Sequence, residues 1–259
     1  GSTILAGTLA YIMASTVFPH IIDGNTLAKI GDPEKGMLKP FFEIAEKNRE
    51  RREKAGAGTI QMPEVSITVN RETKKVTVQE DVKYSSNDMV AELMILAGEG
   101  AACFAFKNQI PFPYVSQESP EFPDNLPGGW AGQFARVKCM RRRSVGITPA
   151  PHAGLGVSFY SQVTSPLRRY GDLIAHEQLR AFLAGHRLMT KDEMLEKVSA
   201  GDEASVAARK ASRFSETHWK LIYLLQNPDN VFDGYCIDKR GTDALFLIPS
   251  IDMQATIKN

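Results

Sequence analysis

The chain has 259 residues, 43% of them hydrophobic and 24% charged, and its 31 lysines and arginines against 30 aspartates and glutamates leave a net charge of +1. That length allows one large domain, or one large and one small, and the composition excludes a disordered or fibrous protein. A near-neutral balance also excludes a globally polybasic nucleic-acid binder, so any such site must come from local clustering.

Cys103, Cys139 and Cys236 are odd in number and far apart, so neither a disulfide framework nor zinc spacing is visible, which fits a reducing, cytoplasmic setting. No apolar run approaches the roughly 20 residues that span a bilayer, so no membrane partner is expected. Gly1-Ser2 resembles the remnant of a tag, which would place the natural start upstream.

In chain order, Leu9 to Met13 form a short apolar stretch of undecided type, and Gly24-Asn25 and Gly31-Asp32-Pro33 mark turns. Residues 38–55 have the periodicity of an amphipathic helix. Phe41, Phe42, Ile44 and Ala45 are expected to face the core, Arg49, Arg51 and Arg52 to complement the helix dipole, and Gly56 to cap the end. Val65, Ile67 and Val69 alternate, as do Val76 and Val78, which predicts a hairpin turning at Asn70 to Lys75. A second helix is predicted over 87–107, with an apolar face from Met89 to Ala97.

Residues 108–132 hold five prolines and four aromatics, and are expected to be a loop. Tyr114 and its aromatic neighbours could stack on unpaired bases, or could pin the loop to the core. Arg136, Lys138, Arg141, Arg142 and Arg143 form a basic run that either tracks phosphates or is a solvated face. Thr190 to Glu193 is a capping box that opens a short helix, and a separate long helix is predicted over 202–226 with Val206, Phe214, Trp219, Ile222, Tyr223 and Leu225 as its apolar stripe. Val231–Ile237 and Ala244–Ile248 read as strands joined by a turn at Lys239–Thr242.

The most informative stretch is Tyr160 to His176. Val157, Phe159 and Val163 alternate like a strand, and Thr164-Ser165-Pro166 then reads as a helix start, with Ser165 able to accept from a free N–H. Arg168 and Arg169 would fall in the first helical turn. Cations are unfavourable there unless an anion binds, so the pair either holds a phosphate or is neutralised by Asp172 or Glu177.

This stretch resembles the signature of the ribonuclease II family, the RNB catalytic domain. In that family a strand leads into Thr-Ser-Pro-Ile/Leu-Arg-Arg/Lys-Tyr, followed by Asp-Leu and a His four residues after the Asp; Thr164 to Tyr170, Asp172-Leu173 and His176 fill those positions. Pro151 to Gly156, Gly56-Ala57, Pro63-Glu64 and Glu92-Leu93-Met94 also resemble family features, and Leu9-Ala10-Tyr11 is a loose match to its opening helix. Two departures stand out. Gly98 takes the place of an Asn, and Val115-Ser116-Gln117 after Tyr114 replaces Arg-x-His.

The resemblance implies an α+β fold, with residues 1–230 as the later part of the catalytic domain and residues 231–259 as the start of an OB-type RNA-binding barrel. It implies a magnesium-dependent exonuclease that degrades single-stranded RNA from the 3′ end to nucleoside monophosphates. By the same resemblance Arg168 is catalytic, contacting the scissile phosphate. Arg169, Ser165, Tyr170, His152, Tyr114, Arg141, Arg142, Arg143 and Glu216 are the candidate RNA-binding or site-shaping residues. Tyr170 and His176 could equally pack in the core, and Glu216 could serve a surface salt bridge. The family's Asp-x-Asp-Asp-like magnesium run is not found here, so no metal ligand is assigned and the ligands are expected upstream. An inactive RNA-binding protein of the same fold is the alternative, and a structural fragment that binds nothing is a third reading. The oligomeric state is not legible in the sequence.

Overall fold

The computed structural model describes residues 32–258 except Thr59, and the first element described is helix α1, Asp32–Lys54. The expectations for Leu9-Ala10-Tyr11 and Gly24-Asn25 lie outside the described residues. Asp32-Pro33, expected as a turn, instead opens α1, since proline in a first helical turn sacrifices no hydrogen bond. The predicted core face of α1 is corrected. Phe41 and Ile44 are exposed, while Ala45, Asn48 and Arg52 are buried at helical spacing. Gly56 ends the helical segment at a φ of 91°, the left-handed conformation that a glycine cap supplies.

The hairpin follows its alternation. Strands β1, Val65–Val69, and β2, Val76–Glu80, pair antiparallel with Val69 opposite Val76. Helix α2, Ser85–Lys107, has its first turn tied by the Tyr84 N–H donating to Asn87 Oδ1 at 3.1 Å. Its buried residues are Met89, Glu92, Gly98, Ala101, Ala102 and Ala105, a narrower stripe of mostly small residues than the sequence suggests. By length and composition alone α2 could cross a membrane, with a window of mean hydropathy 1.6, which corrects the expectation that no run comes close. The small-residue face is occupied by protein: Ala101, Ala102 and Ala105 form a core with Ile110, Phe112, Tyr114, Val163, Ala175 and Leu179.

Within the expected loop lie β3, Tyr114–Ser116, and the start of helix α3, Gly129–Cys139. β3 pairs antiparallel with β4, Ser144–Gly146. Helix α4, Tyr170–Leu183, buries Asp172, Ile174, Ala175, Gln178 and Leu179. The two helices expected beyond Thr190 are one, α5, Lys191–Gln226. The capping box is made, with Glu193 N–H donating to Thr190 Oγ1 at 3.2 Å and Thr190 N–H to Glu193 Oε2 at 2.8 Å. No proline follows to stop it, and Gly201 lets the Tyr170 ring approach. Val206, Phe214 and Leu225 of its expected stripe are exposed.

The last part is a three-stranded antiparallel sheet in the order β5, Tyr235–Arg240; β6, Asp243–Ile248; and β7, Met253–Ile257. The first strand begins at Tyr235 rather than Val231, the turn sits at Gly241, and β7 was not foreseen.

The chain divides into two compact units, each discontinuous in sequence. The first holds residues up to Gly58, Lys83–Ser119 and Arg141–Ser205; the second holds Thr59–Val82, Pro120–Met140 and Val206 onward. In the second unit the Gln226 side chain accepts from Val76 N–H and donates to the Lys74 carbonyl, both at 2.9 Å, so the end of α5 caps the β1–β2 hairpin. Buried Lys220 on α5 donates to the Asp252 carbonyl at 2.6 Å and to its carboxylate at 3.0 Å, which ties the helix to the turn before β7.

Candidate nucleic-acid interface

The signature stretch departs from the strand-into-helix expectation at both ends. Val157 makes only an isolated bridge to His152, and Tyr160 is held by Val115 N–H donating to its carbonyl at 2.8 Å, so residues 157–163 are extended without joining a sheet. Helix α4 begins at Tyr170 with Arg169 as its N-cap residue. Residues 166–168 form a turn, closed by the N–H groups of Arg168 and Arg169 donating to the Ser165 carbonyl at 3.2 and 3.0 Å.

The cause is Asp172, 1% exposed in the first turn of α4. Its carboxylate reaches back to accept from Ser165 N–H at 2.8 Å and from the Arg169 guanidinium at 2.7 Å. Ser165 therefore does not cap the helix; its own N–H is capped by Asp172, and the chain folds into a turn first. Arg169 also donates to Thr164 Oγ1 at 3.2 Å, and His176 Nε2 to the Val163 carbonyl at 2.6 Å.

The two adjacent arginines thus take different roles. Arg169 is the neutralised one, paired with Asp172. Arg168 stands exposed with no ion pair to any described residue, beside Leu167, which is 96% exposed. Tyr170 is half-exposed, its ring laid against Gly201.

His152 lies between the bridges to Gln117 and Val157. Burial lowers its pKa from the ordinary imidazole value of 6.5, and Arg143 adds to the effect. Among the described residues four buried side-chain atoms lack a partner: His152 Nδ1, Ser161 Oγ, Ser165 Oγ and Arg169 Nε. All fall between residues 152 and 169. An unmet buried polar group costs about 1–3 kcal/mol, so these four atoms are the places in this stretch where a further hydrogen-bond partner would be accommodated. Ser161 was not among the sequence candidates; its alternation with Val157, Phe159 and Val163 was the available signal.

The neutral His152 predicts a sign for acidification. The unfolded chain takes up the proton more readily than the folded one, so this residue's contribution is present above 6.5 and is lost as pH falls through the lowered folded value. In urea melts between about pH 7.5 and about pH 5, the acid-side loss of stability should be smaller in His152→Gln than in the parent protein.

Of the basic run, Arg136 and Lys138 sit on α3 in the second unit, Arg136 over the Phe122 ring at 5.2 Å and Lys138 against Asp238 at 2.9 Å. Arg141 and Arg142 are exposed, and Arg143 pairs with Asp202 at 3.0 Å. Glu216 is exposed on α5 in the second unit, without the salt bridge that was its alternative reading among the described residues.

A model of the RNB domain matches residues 11–124 and 131–185. The chain belongs to the RNB family. It is 38% identical over 239 residues to an uncharacterized ribonuclease, sll1290, of Synechocystis, covering 88% of this chain and 35% of that protein. It is 32% identical over 202 residues to the chloroplastic/mitochondrial ribonuclease II of Arabidopsis thaliana, covering 74% of this chain and 25% of that one. The chain spans about a third or less of these relatives. Among solved structures, the Dss1 exoribonuclease of Candida glabrata superposes with a TM-score of 0.76 at 21% identity, over 97% of this chain and 33% of that one. Mycoplasma genitalium RNase R in complex with ribose-methylated single-stranded RNA gives 0.72 at 17%, over 85% and 41%. The α+β architecture is thus of the RNB type.

Both departures from the RNB pattern have a structural account. At Gly98 a Cβ would lie 2.5 Å from the Ser161 carbonyl oxygen and closer still to the Tyr160 ring, so this chain has no room for the Asn there. Gln117, in place of the His, accepts from Gly154 N–H at 3.2 Å and donates to the Arg141 carbonyl at 2.7 Å, joining Arg141 of the basic run to the His152 segment. Tyr114 is 4% exposed, edge-on to Phe112 in the core, and burial pushes its hydroxyl up to about 12. Its ring face is not displayed to bases, which corrects the stacking expectation in favour of the pinned-loop alternative.

The fit to magnesium can be tested on the donor set. Among the described residues no three His, Cys, Asp or Glu side chains come together as a metal-binding group. These residues do not fit the ion.

Proposed function

We propose that this chain is the arginine-bearing later part of an exoribonuclease that hydrolyses single-stranded RNA from the 3′ end and releases nucleoside 5′-monophosphates. In that reaction water adds to phosphorus, the bond to the 3′ oxygen breaks, and the shortened RNA keeps a 3′ hydroxyl. The observation that carries the reading is Arg168: an exposed guanidinium with no ion pair among the described residues, on a turn fixed by Asp172, in a chain of the RNB family. A guanidinium carried on a fixed turn can stabilise charge developing on the non-bridging oxygens. Magnesium and its carboxylates would come from a segment upstream, the protein would act in the cytoplasm, and residues 231–259 would open an OB-type barrel. RNA as the ligand is supported by the RNase R structures, which hold ribose-methylated single-stranded RNA in one case and double-stranded RNA in another.

If exposed Arg141 and Arg142 contact RNA phosphates, replacing both with alanine should flatten the salt dependence of single-strand binding by about 1.4 units of log K per log salt, at about 0.7 per contact. An unchanged slope would make the run a solvated face.

A second reading, an inactive RNA-binding protein, is favoured by one neighbour: yeast Ssd1, a pseudonuclease, superposes with a TM-score of 0.59. Assaying this chain alone, the upstream segment alone and the two together on labelled RNA separates the two. Magnesium-dependent nucleotide release from the combination alone supports the enzyme. RNA binding without hydrolysis by the whole protein supports the second reading.

A further inference from the structure

Helices α1 and α2 meet through charge that is out of solvent. Arg52 is 8% exposed and Glu92 is 7% exposed. The guanidinium bonds both Glu92 carboxylate oxygens, through Nη2 and, at 3.0 Å, through Nε. Asn48 donates to the same carboxylate at 2.9 Å and to the Glu92 carbonyl at 3.3 Å, so the acid is satisfied from two sides. Of the remaining N–H groups of Arg52, one on Nη1 donates to the Leu155 carbonyl at 2.8 Å.

Leu155 ends the short 3-10 turn Ala153–Leu155, directly after His152 and before the extended run to the signature. Gly156 closes the turn at a φ of 64°, and a Cβ there would strike the Arg52 carbonyl oxygen and lie 3.0 Å from Ala57. The turn is therefore pressed onto the end of α1 and hydrogen-bonded to it at once. The far end of the run rests on α2 as well, where Ser161 N–H donates to the Gly98 carbonyl at 3.3 Å and the Tyr160 ring covers Gly98. Two helices thus grip both ends of residues 155–161.

A buried ion pair is weak as a source of net stability, because desolvation offsets the attraction. An arginine that also donates to a loop carbonyl holds that loop in one place. A lysine could keep the charge opposite Glu92 but has no planar fork to bridge two carboxylate oxygens and a carbonyl together.

We infer that Arg52 is a positioning residue for Arg168: clamped by Glu92, it fixes the turn from which the signature segment departs. This rests on the exoribonuclease reading above. In the whole protein, Arg52→Lys should leave single-stranded RNA affinity within about threefold but cut the single-turnover rate at saturating RNA by about tenfold to a hundredfold, the scale of a slight misplacement at a reacting centre. In an Arg168→Lys background the same substitution should cost less than about threefold, because the two act through one group. The His152 amide, bonded to the Val157 carbonyl at 2.9 Å, should exchange about tenfold faster in Arg52→Lys, while amides of the β1–β2 hairpin stay unchanged. Should Arg52→Lys fail to fold, Glu92→Gln is read in the same way, since it keeps an oxygen for Arg52 and removes the charge. A wild-type rate, or losses that add in full across the double variant, overturns the inference. So does unchanged exchange at His152. If the parent protein does not degrade RNA, the exoribonuclease reading and the role toward Arg168 both fall, while the exchange result still decides whether the clamp exists.

Discussion

Arg168→Lys in the whole protein is expected to lower single-turnover RNA hydrolysis by about 10²–10³ while leaving RNA affinity nearly intact. Lysine preserves the positive charge that draws a polyanion, but loses the two-pronged geometry that meets two oxygens of one phosphate. Arg168 is the side chain for this role because its neighbour is already committed: Arg169 is bound to Asp172 and Thr164, whereas Arg168 points from the turn with no ion pair among the described residues. Filter binding and quenched-flow rates on the same preparation separate the two quantities. Turnover at the parent level in the Lys variant would remove Arg168 from the chemistry.

The second large effect is on stability. Asp172→Ala should cost about 3–5 kcal/mol, the range for removing one partner of a buried charge pair. The loss has two parts. The Ser165 N–H, which Asp172 meets at 2.8 Å, is left without an acceptor, and the partly buried Arg169 guanidinium is left without its carboxylate. Asp172→Asn keeps an oxygen for Ser165 and should cost less. Urea melts of the three proteins would give the order parent, Asn, Ala; an Ala variant within about 0.5 kcal/mol of the parent, the usual range for surface changes, would mean the carboxylate does not hold the turn.

How much of this was legible depended on whether the deciding contact was local. The β1–β2 hairpin was, because Val65, Ile67 and Val69 alternate against Val76 and Val78 across a polar turn. The capping box at Thr190 was, because both partners lie within four residues. The signature turn was not: Thr164-Ser165-Pro166 has the residue types of a helix start, and the outcome is set by a carboxylate seven residues on that takes the Ser165 N–H for itself. Arg52 was read as a dipole-complementing cation because its partner, Glu92, is 40 residues away on another helix. The burial of Asn48 and Arg52 in place of Phe41 and Ile44 has the same origin, since apolar periodicity cannot show that a polar network will occupy an interface. Tyr114, an aromatic in a proline-rich segment, could be read either way, and the β3–β4 pairing that carries it into the core joins residues about 30 apart. Strand β7 gave little pattern to read because most of its residues are exposed.

The most direct measurement is the first product released by the whole protein from a single-stranded RNA carrying its label on the 3′-terminal nucleotide, followed in a single turnover with magnesium present. The account predicts that the label leaves at once as a nucleoside 5′-monophosphate, and that Arg168→Lys slows this release without changing the product. Label that first appears in an internal fragment, or that stays on full-length RNA while the protein remains bound to it, would contradict it.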